Sequence, residues 1–184
     1  MRALHTTARE RAFTLVETMV AISILSLAVT GPLIIAQKGI DSAIYAKDQI
    51  TAEYLAQEAV EYIRNARDTN RIQGNSWLSG LSSCLVVSGS EQCTIDARYP
   101  DFTSGGAVTS CPGGTCPAIS FDSSSGLYGY AAGGTWSPTK FTRSVSIDNR
   151  ASAKEAAISV TISWNTGLFL PIRTFTVREY IFDF

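Results

Sequence analysis

Residues 13–35 read FTLVETMVAISILSLAVTGPLII, and Glu17 is the only charged side chain in these 23 positions. A helix needs roughly 20 apolar residues to cross a bilayer, so this length predicts a membrane span. Ahead of it, residues 1–12 set Arg2, Arg9 and Arg11 against Glu10, a basic segment that the positive-inside rule keeps in the cytoplasm. Three readings compete for this end. A secretory signal would place a small-residue cleavage site after the apolar run, and Gln37-Lys38-Gly39-Ile40-Asp41 offers no Ala-x-Ala. A plain anchor fits the length but gives no reason for a carboxylate five residues into the run, where central burial costs roughly 2.5–3.5 kcal/mol. The third reading puts a cut before the run, between Ala12 and Phe13, and makes Glu17 the fifth residue of the mature chain.

The whole chain has 184 residues, 45% hydrophobic and 17% charged, with a formal net charge of −1. That composition suits one modest domain and excludes a disordered tail. The near-neutral balance lacks the footprint that a phosphate backbone demands, so no nucleic acid is expected as a bulk partner, with DNA uptake left open. The single histidine is His5. If the basic end is removed, Ser-His-Asp triads, Cys-His pairs and His-containing metal sites go with it, and no catalytic residue, cofactor or metal is expected.

Arg11-Ala12-Phe13-Thr14-Leu15-Val16-Glu17 resembles the cleavage and methylation signature of type IV pilins and the pseudopilins of type II secretion. There a basic leader and a small residue precede Phe-Thr-Leu-Val-Glu at the head of a membrane helix. The usual residue before the cut is glycine, and Ala12 is a commonly tolerated replacement. The resemblance implies that a prepilin peptidase cuts after Ala12 and methylates the new Phe13 amine, leaving 172 residues. It also gives Glu17 an assembly role, because a buried acid is tolerable beside the terminal ammonium of a neighbouring subunit. Snorkelling to the headgroups is the plainer alternative.

Past Ile35 the helical pattern becomes amphipathic. Ile40, Ile44, Ile50, Tyr54, Leu55, Ala59, Tyr62, Ile63 and Ala66 recur at helical spacing, with charges between them. One helix from Phe13 to Asn70 would run roughly 87 Å, much more than a membrane needs. Gly31-Pro32 falls inside its apolar part, where proline removes a backbone hydrogen bond and predicts a kink. The segment from Leu55 to Asp68 also resembles the helix end of minor pilins and pseudopilins. Its charges Glu58, Glu61, Arg64, Arg67 and Asp68 are expected to pair along the helix at i,i+3 spacing.

Between Arg71 and Pro138 lie 11 of the 14 glycines, all four cysteines and only six charged residues, a composition that predicts loops. Four cysteines allow three connectivities. Neighbour pairing is expected: Cys111-Pro-Gly-Gly-Thr-Cys116 is a turn its ends can staple, and Cys84 with Cys93 closes a short loop around Gly89. A four-cysteine zinc site is the rival, disfavoured by the absence of Cys-x2-Cys spacing and by an oxidising compartment.

The carboxyl third alternates with strand period: Phe141, Val145 and Ile147, then Ile158, Val160, Ile162 and Trp164, then Phe175, Val177, Tyr180, Phe182 and Phe184. Loops at 148–155 and 165–173 let the three pair as an antiparallel meander, and residues 127–130 with Thr135 and Trp136 predict an edge hairpin. One sheet face needs cover, and the amphipathic half of the helix supplies it. Phe141-Thr142-Arg143 and the Val/Ile strand ending in Trp164-Asn165 resemble the sheet of minor pilins and pseudopilins.

The expected fold is therefore α+β, a long N-terminal helix packed on an antiparallel sheet of about three to four strands. Its expected divisions are a leader (1–12), an assembly helix (13–35), an amphipathic half (36–70), a variable loop region (71–138) and a sheet (139–184). The expected function is that of a non-enzymatic pilin-like subunit, minor pilin or pseudopilin. Its partners would be prepilin peptidase, other pilin-like subunits, an assembly platform protein and membrane lipid. It would sit in the cytoplasmic membrane by a single pass with its head outside, and in a filament after assembly. A membrane-anchored binding or enzymatic domain that does not polymerise is the alternative.

Overall fold

A computed structural model describes residues 14–86, 92–152, 154–165 and 171–183. The cleavage pair Ala12 and Phe13, and Phe184, lie outside the described residues. The chain divides into two compact units, Met1–Lys47 and Asp48–Phe184. One helix, α1 (Leu15–Ile72, 58 residues), passes through both.

In the first unit α1 starts at a cap and runs unbroken through Gly31 and Pro32. Pro32 has no N–H to return to the Ala28 carbonyl. Every described residue from Thr14 to Lys47 is exposed.

In the second unit α1 acquires a buried face. Ala52, Ala56, Ala59, Ile63 and Ala66 are fully buried, and Leu55, Val60 and Tyr62 are nearly so. Four alanines in this stripe let the sheet approach the helix axis closely, and the larger side chains fill the gaps between them. The helical stripe expected from the sequence begins too early. Ile40, Ile44, Ile50 and Tyr54 are exposed.

The sheet has seven antiparallel strands: β1 (Cys93–Ile95), β2 (Val108–Ser110), β3 (Ala118–Asp122), β4 (Tyr128–Gly129), β5 (Trp136–Ser152), β6 (Glu155–Trp164) and β7 (Arg173–Phe182). The last three form the expected meander, with Val145, Val160 and Val177 in one cross-strand row and Arg143, Ile162 and Phe175 in another. Inward positions along β6 are buried and outward ones half-exposed, apart from the buried Ala157, as period-2 alternation leads one to expect. The other edge of β5 receives β3 along its first half and β1 at Val145, while β2 pairs β1 and β4 pairs β3.

The expected count of about three to four strands is thus corrected to seven. The additional strands are two to five residues long; β1 to β3 come from the stretch expected as loop, and β4 lies where an edge hairpin was expected but pairs β3, as does Trp136 in β5. These short strands show no period; the 17-residue β5 supplies hydrogen bonds to β1 and β3, which in turn pair β2 and β4. The expected loop at 148–155 is likewise shorter, since β5 and β6 stay paired out to Ser152 and Glu155.

Candidate functional site

Thr14 stands immediately before α1 and caps it. The Glu17 backbone N–H donates to Thr14 Oγ1 at 3.3 Å, and the Thr18 N–H donates to the Thr14 carbonyl at 3.2 Å. Thr-x-x-Glu at a helix start is the capping-box pattern, and it places Glu17 at the third helical position, inside the first turn where the helix dipole favours an anion. That signal was present in the sequence and supplies a local reason for the carboxylate besides any partner in assembly. The Glu17 side chain is exposed.

Around and beyond Glu17 the helix surface is hydrocarbon. Leu15, Ile22, Leu25, Leu27 and Ile35 are each more than 60% exposed, and an 18-residue window of α1 reaches a mean hydropathy of 2.3 with none of it buried. The hydroxyls within this stretch turn inward. Thr18 donates to the Leu15 carbonyl, Ser23 to Met19 and Ser26 to Ile22, each at 2.8 Å, and Thr30 donates to Ser26. These four hydroxyls are thus satisfied on the helix's own backbone, as hydrocarbon surroundings favour, and by length and composition α1 can cross a membrane.

In the second unit the cysteines are joined as Cys84–Cys93 and Cys111–Cys116, with Cα atoms 4.9 and 4.8 Å apart. The first ties a 3-10 turn to the start of β1, and the second spans the Pro112–Gly114 turn between β2 and β3. Both tether segments to β strands too short to hold them alone.

Three ion pairs among the described residues have a buried partner, and the sequence reading singled out none of them. Arg143, 1% exposed on β5, donates to Glu58 Oε2 at 2.6 Å, to the Leu55 carbonyl at 2.8 Å and to the Ile95 carbonyl, so one guanidinium clasps α1, β1 and β5. Lys140 reaches the buried Asp48 at 2.6 Å. Asp96 takes a two-pronged contact from Arg98 and the Tyr130 backbone N–H. Burial acts to raise the Asp96 carboxyl, but these hydrogen bonds outweigh it and hold the group below the usual carboxylate range. Arg98 in turn lies 4.4 Å from the Trp136 ring centroid.

The expected i,i+3 pairing along α1 holds for Glu61 and Arg64 at 2.6 Å, while Arg64 also reaches Glu179 on β7 and Arg67 contacts its neighbour Asp68. Glu58 departs from it, because a buried arginine lies within its reach.

The family model described as the prokaryotic N-terminal methylation motif matches residues 7–31. The match takes in the Ala12-Phe13 junction, Thr14, Glu17 and the apolar run as far as Gly31. No curated protein and no solved structure matches the chain. With that motif laid over a capped Glu17 and a helix whose apolar surface is exposed on all sides, the chain carries the signature of type IV pilins and pseudopilins and reads as a membrane-anchored, single-pass prepilin peptidase substrate.

Proposed function

We propose that the chain is a structural subunit, a minor pilin or pseudopilin, of a type IV filament or a type II secretion-like machine. Prepilin peptidase removes residues 1–12 and methylates Phe13. The processed subunit waits in the lipid with its head outside, and an assembly platform protein passes it into a filament where related helices cover its apolar surface. Glu17 then meets the terminal ammonium of a neighbour. The observation that carries this reading is the first half of α1: hydrocarbon on every side, hydroxyls spent on its own backbone, and one carboxylate in the first turn. Such a surface calls for lipid or like helices, and none of its side chains suggests chemistry on a substrate. The head supports a specialised rather than a repetitive subunit, because β1 to β4 and both disulfides are concentrated in the stretch between Arg71 and Pro138.

Glu17→Leu tests it. The variant should insert and be cut, since the segment becomes more apolar and the scissile bond is untouched. Docking should fail, because breaking a buried pair and leaving an ammonium alone in low dielectric costs about 3–5 kcal/mol. Processed monomer should therefore accumulate in membranes while sheared filaments lose it. Wild-type levels of Glu17→Leu in filaments would remove the pairing role. Wild-type protein that stays in the membrane with its related subunits present would remove the filament reading and favour a simple anchor.

A further inference from the structure

Among the described residues the sheet ends on three edges: β2 with three residues, β4 with two and β7 with ten. β7 pairs β6 alone, in an unbroken register from Glu155 opposite Phe182 to Trp164 opposite Arg173. An edge strand directs a row of backbone N–H and C=O groups away from its sheet, and folded proteins blunt such edges by shortening them, bulging them or interrupting them with proline. β2 and β4 are blunted by length. β7 is long, has no bulge and contains no proline between Arg173 and Phe182. Apolar surface accompanies it, since Ile172 just ahead of the strand is 68% exposed and Tyr180 is 52% exposed.

The residues of β7 say what fits this edge. Phe175, Val177 and Glu179 are half-buried on the face where Glu179 meets Arg64 of α1, whereas Thr174, Thr176, Arg178 and Tyr180 are exposed on the other face. Two copies of one edge strand pair antiparallel about a two-fold axis, and like faces stay together only when that axis passes through a residue, which then meets its own copy. An axis at Arg178 or Glu179 sets like charges against each other. At Val177 it sets Glu179 against Phe175 and Arg173 against Ile181, and at Phe175 it sets Arg178 against Ile172. An axis at Thr176 resolves every one of these conflicts: Arg173 faces Glu179, Phe175 faces Val177, Thr174 faces Arg178, and the exposed Ile172 faces the exposed Tyr180. Opposite charges and apolar pairs directly across a ladder are the stabilising combinations. Arg64 already orders the Glu179 carboxylate from within the same copy. The hydroxyl contact between Thr161 and Thr176, 3.0 Å long, lies in the row that continues across such an axis.

We propose that β7 is the docking edge for a second copy of this chain, two heads joining into one continuous sheet by antiparallel β7–β7 pairing centred on Thr176. The charge and apolar complementarity of residues 172–180 with themselves carries it. The contact lies wholly in the second unit and stands apart from Glu17, so Glu17→Leu should leave it unchanged.

The test uses the full mature chain in micelles, followed by sedimentation equilibrium from about 5 to 500 μM at constant detergent excess. The wild type should pass from monomer to dimer with a Kd of about 10–100 μM, the range of a small interface. Thr176 is exposed, so Thr176→Lys, which sets two ammonium groups against each other, should melt near the wild-type temperature while Kd rises at least about tenfold. Single cysteines read the register. Thr176→Cys should form a dimer-linking disulfide under mild oxidation, because directly opposed residues stand within bridging range. Thr174→Cys and Arg178→Cys should each stay unlinked alone, their copies being roughly 14 Å apart, and should link when mixed. A wild type that stays monomeric up to about 500 μM overturns the proposal, as does an unchanged Kd in Thr176→Lys. Self-linking of Arg178→Cys in preference to Thr176→Cys overturns the register. Shifts of β7 amide resonances caused by a different pilin-like head, with no self-association, would assign the edge to that subunit and overturn the second copy.

Discussion

Glu58→Gln should destabilise the head more than Arg143→Met does, although both remove the same ion pair. Arg143 is 1% exposed and Glu58 is 37% exposed, with 2.6 Å between them. Replacing the glutamate leaves a guanidinium in the core with only the Leu55 and Ile95 carbonyls to compensate it. Breaking a fully buried pair costs about 3–5 kcal/mol, and solvent access to position 58 lowers this to about 2–3 kcal/mol. Arg143→Met removes charge-assisted hydrogen bonds but also the desolvation of the cation, and its apolar chain fills much of the same space. Its cost should be about 1–2 kcal/mol. In the double variant the glutamine no longer strands a charge, so the total should sit near that of Arg143→Met alone, a coupling of about 2 kcal/mol. For a chain of this size 1 kcal/mol shifts Tm by roughly 2–4 °C, so Glu58→Gln should melt about 4–12 °C below wild type. Near-UV circular dichroism of the mature chain in micelles reads the transition through the buried Trp77 and Trp164. A Tm for Glu58→Gln within about 1 °C of wild type, or additivity of the cycle within about 0.5 kcal/mol, would refute the role assigned to Arg143.

Reduction should lower Tm in two steps of different accessibility: Cys84 and Cys93 are fully buried and Cys111 and Cys116 slightly exposed, so alkylation under graded reductant should label the second pair first. Loop-closure entropy puts each bridge at about 2–3 kcal/mol. The Asp96 carboxyl, depressed by Arg98 and two backbone N–H groups, contributes stability that is complete above the ordinary carboxylate pKa of about 4 and is lost as pH falls through its lower folded value; in Asp96→Asn that part of the acid-side slope in urea midpoints should disappear. Intact-mass analysis should show Ala12→Gly beginning at methylated Phe13 and Ala12→Arg uncut, because a cleft shaped for a small side chain cannot accept a bulky charge.

The helix and the meander were legible because each repeats a period long enough to be read. Ile158, Val160, Ile162 and Trp164 leave little choice but a strand with one buried face. β1 and β2, with three residues each, and β4, with two, carry no such period, and they exist as strands because neighbouring backbone completes their hydrogen bonds. The buried face of α1 was misplaced for a related reason. Ile40 and Ile44 are as apolar as Leu55 and Ile63, and hydrophobicity alone does not distinguish surface left exposed from surface buried in the same chain. Arg143 was hidden because a lone arginine in a Thr/Ser-flanked strand looks like a solvated edge until Glu58 and two carbonyls are brought to it. At the candidate site the motif from Arg11 to Glu17 is carried by adjacent residues and is readable directly, whereas the cap by Thr14 rests on Thr-x-x-Glu spacing that overlaps the same motif.

The inward-turned hydroxyls of Thr18, Ser23, Ser26 and Thr30 have a mechanical consequence. A rod whose outer surface offers a neighbour only methyl and methylene groups can slide lengthwise or rotate at little cost, since one dispersion contact is exchanged for another of similar depth. Between Leu15 and Ile35, Glu17 is the only charged side chain and so sets one axial position apart electrostatically. In the filament proposed above, such a helix would be a smooth shaft with a single detent: low friction while it travels, and one notch at which travel stops.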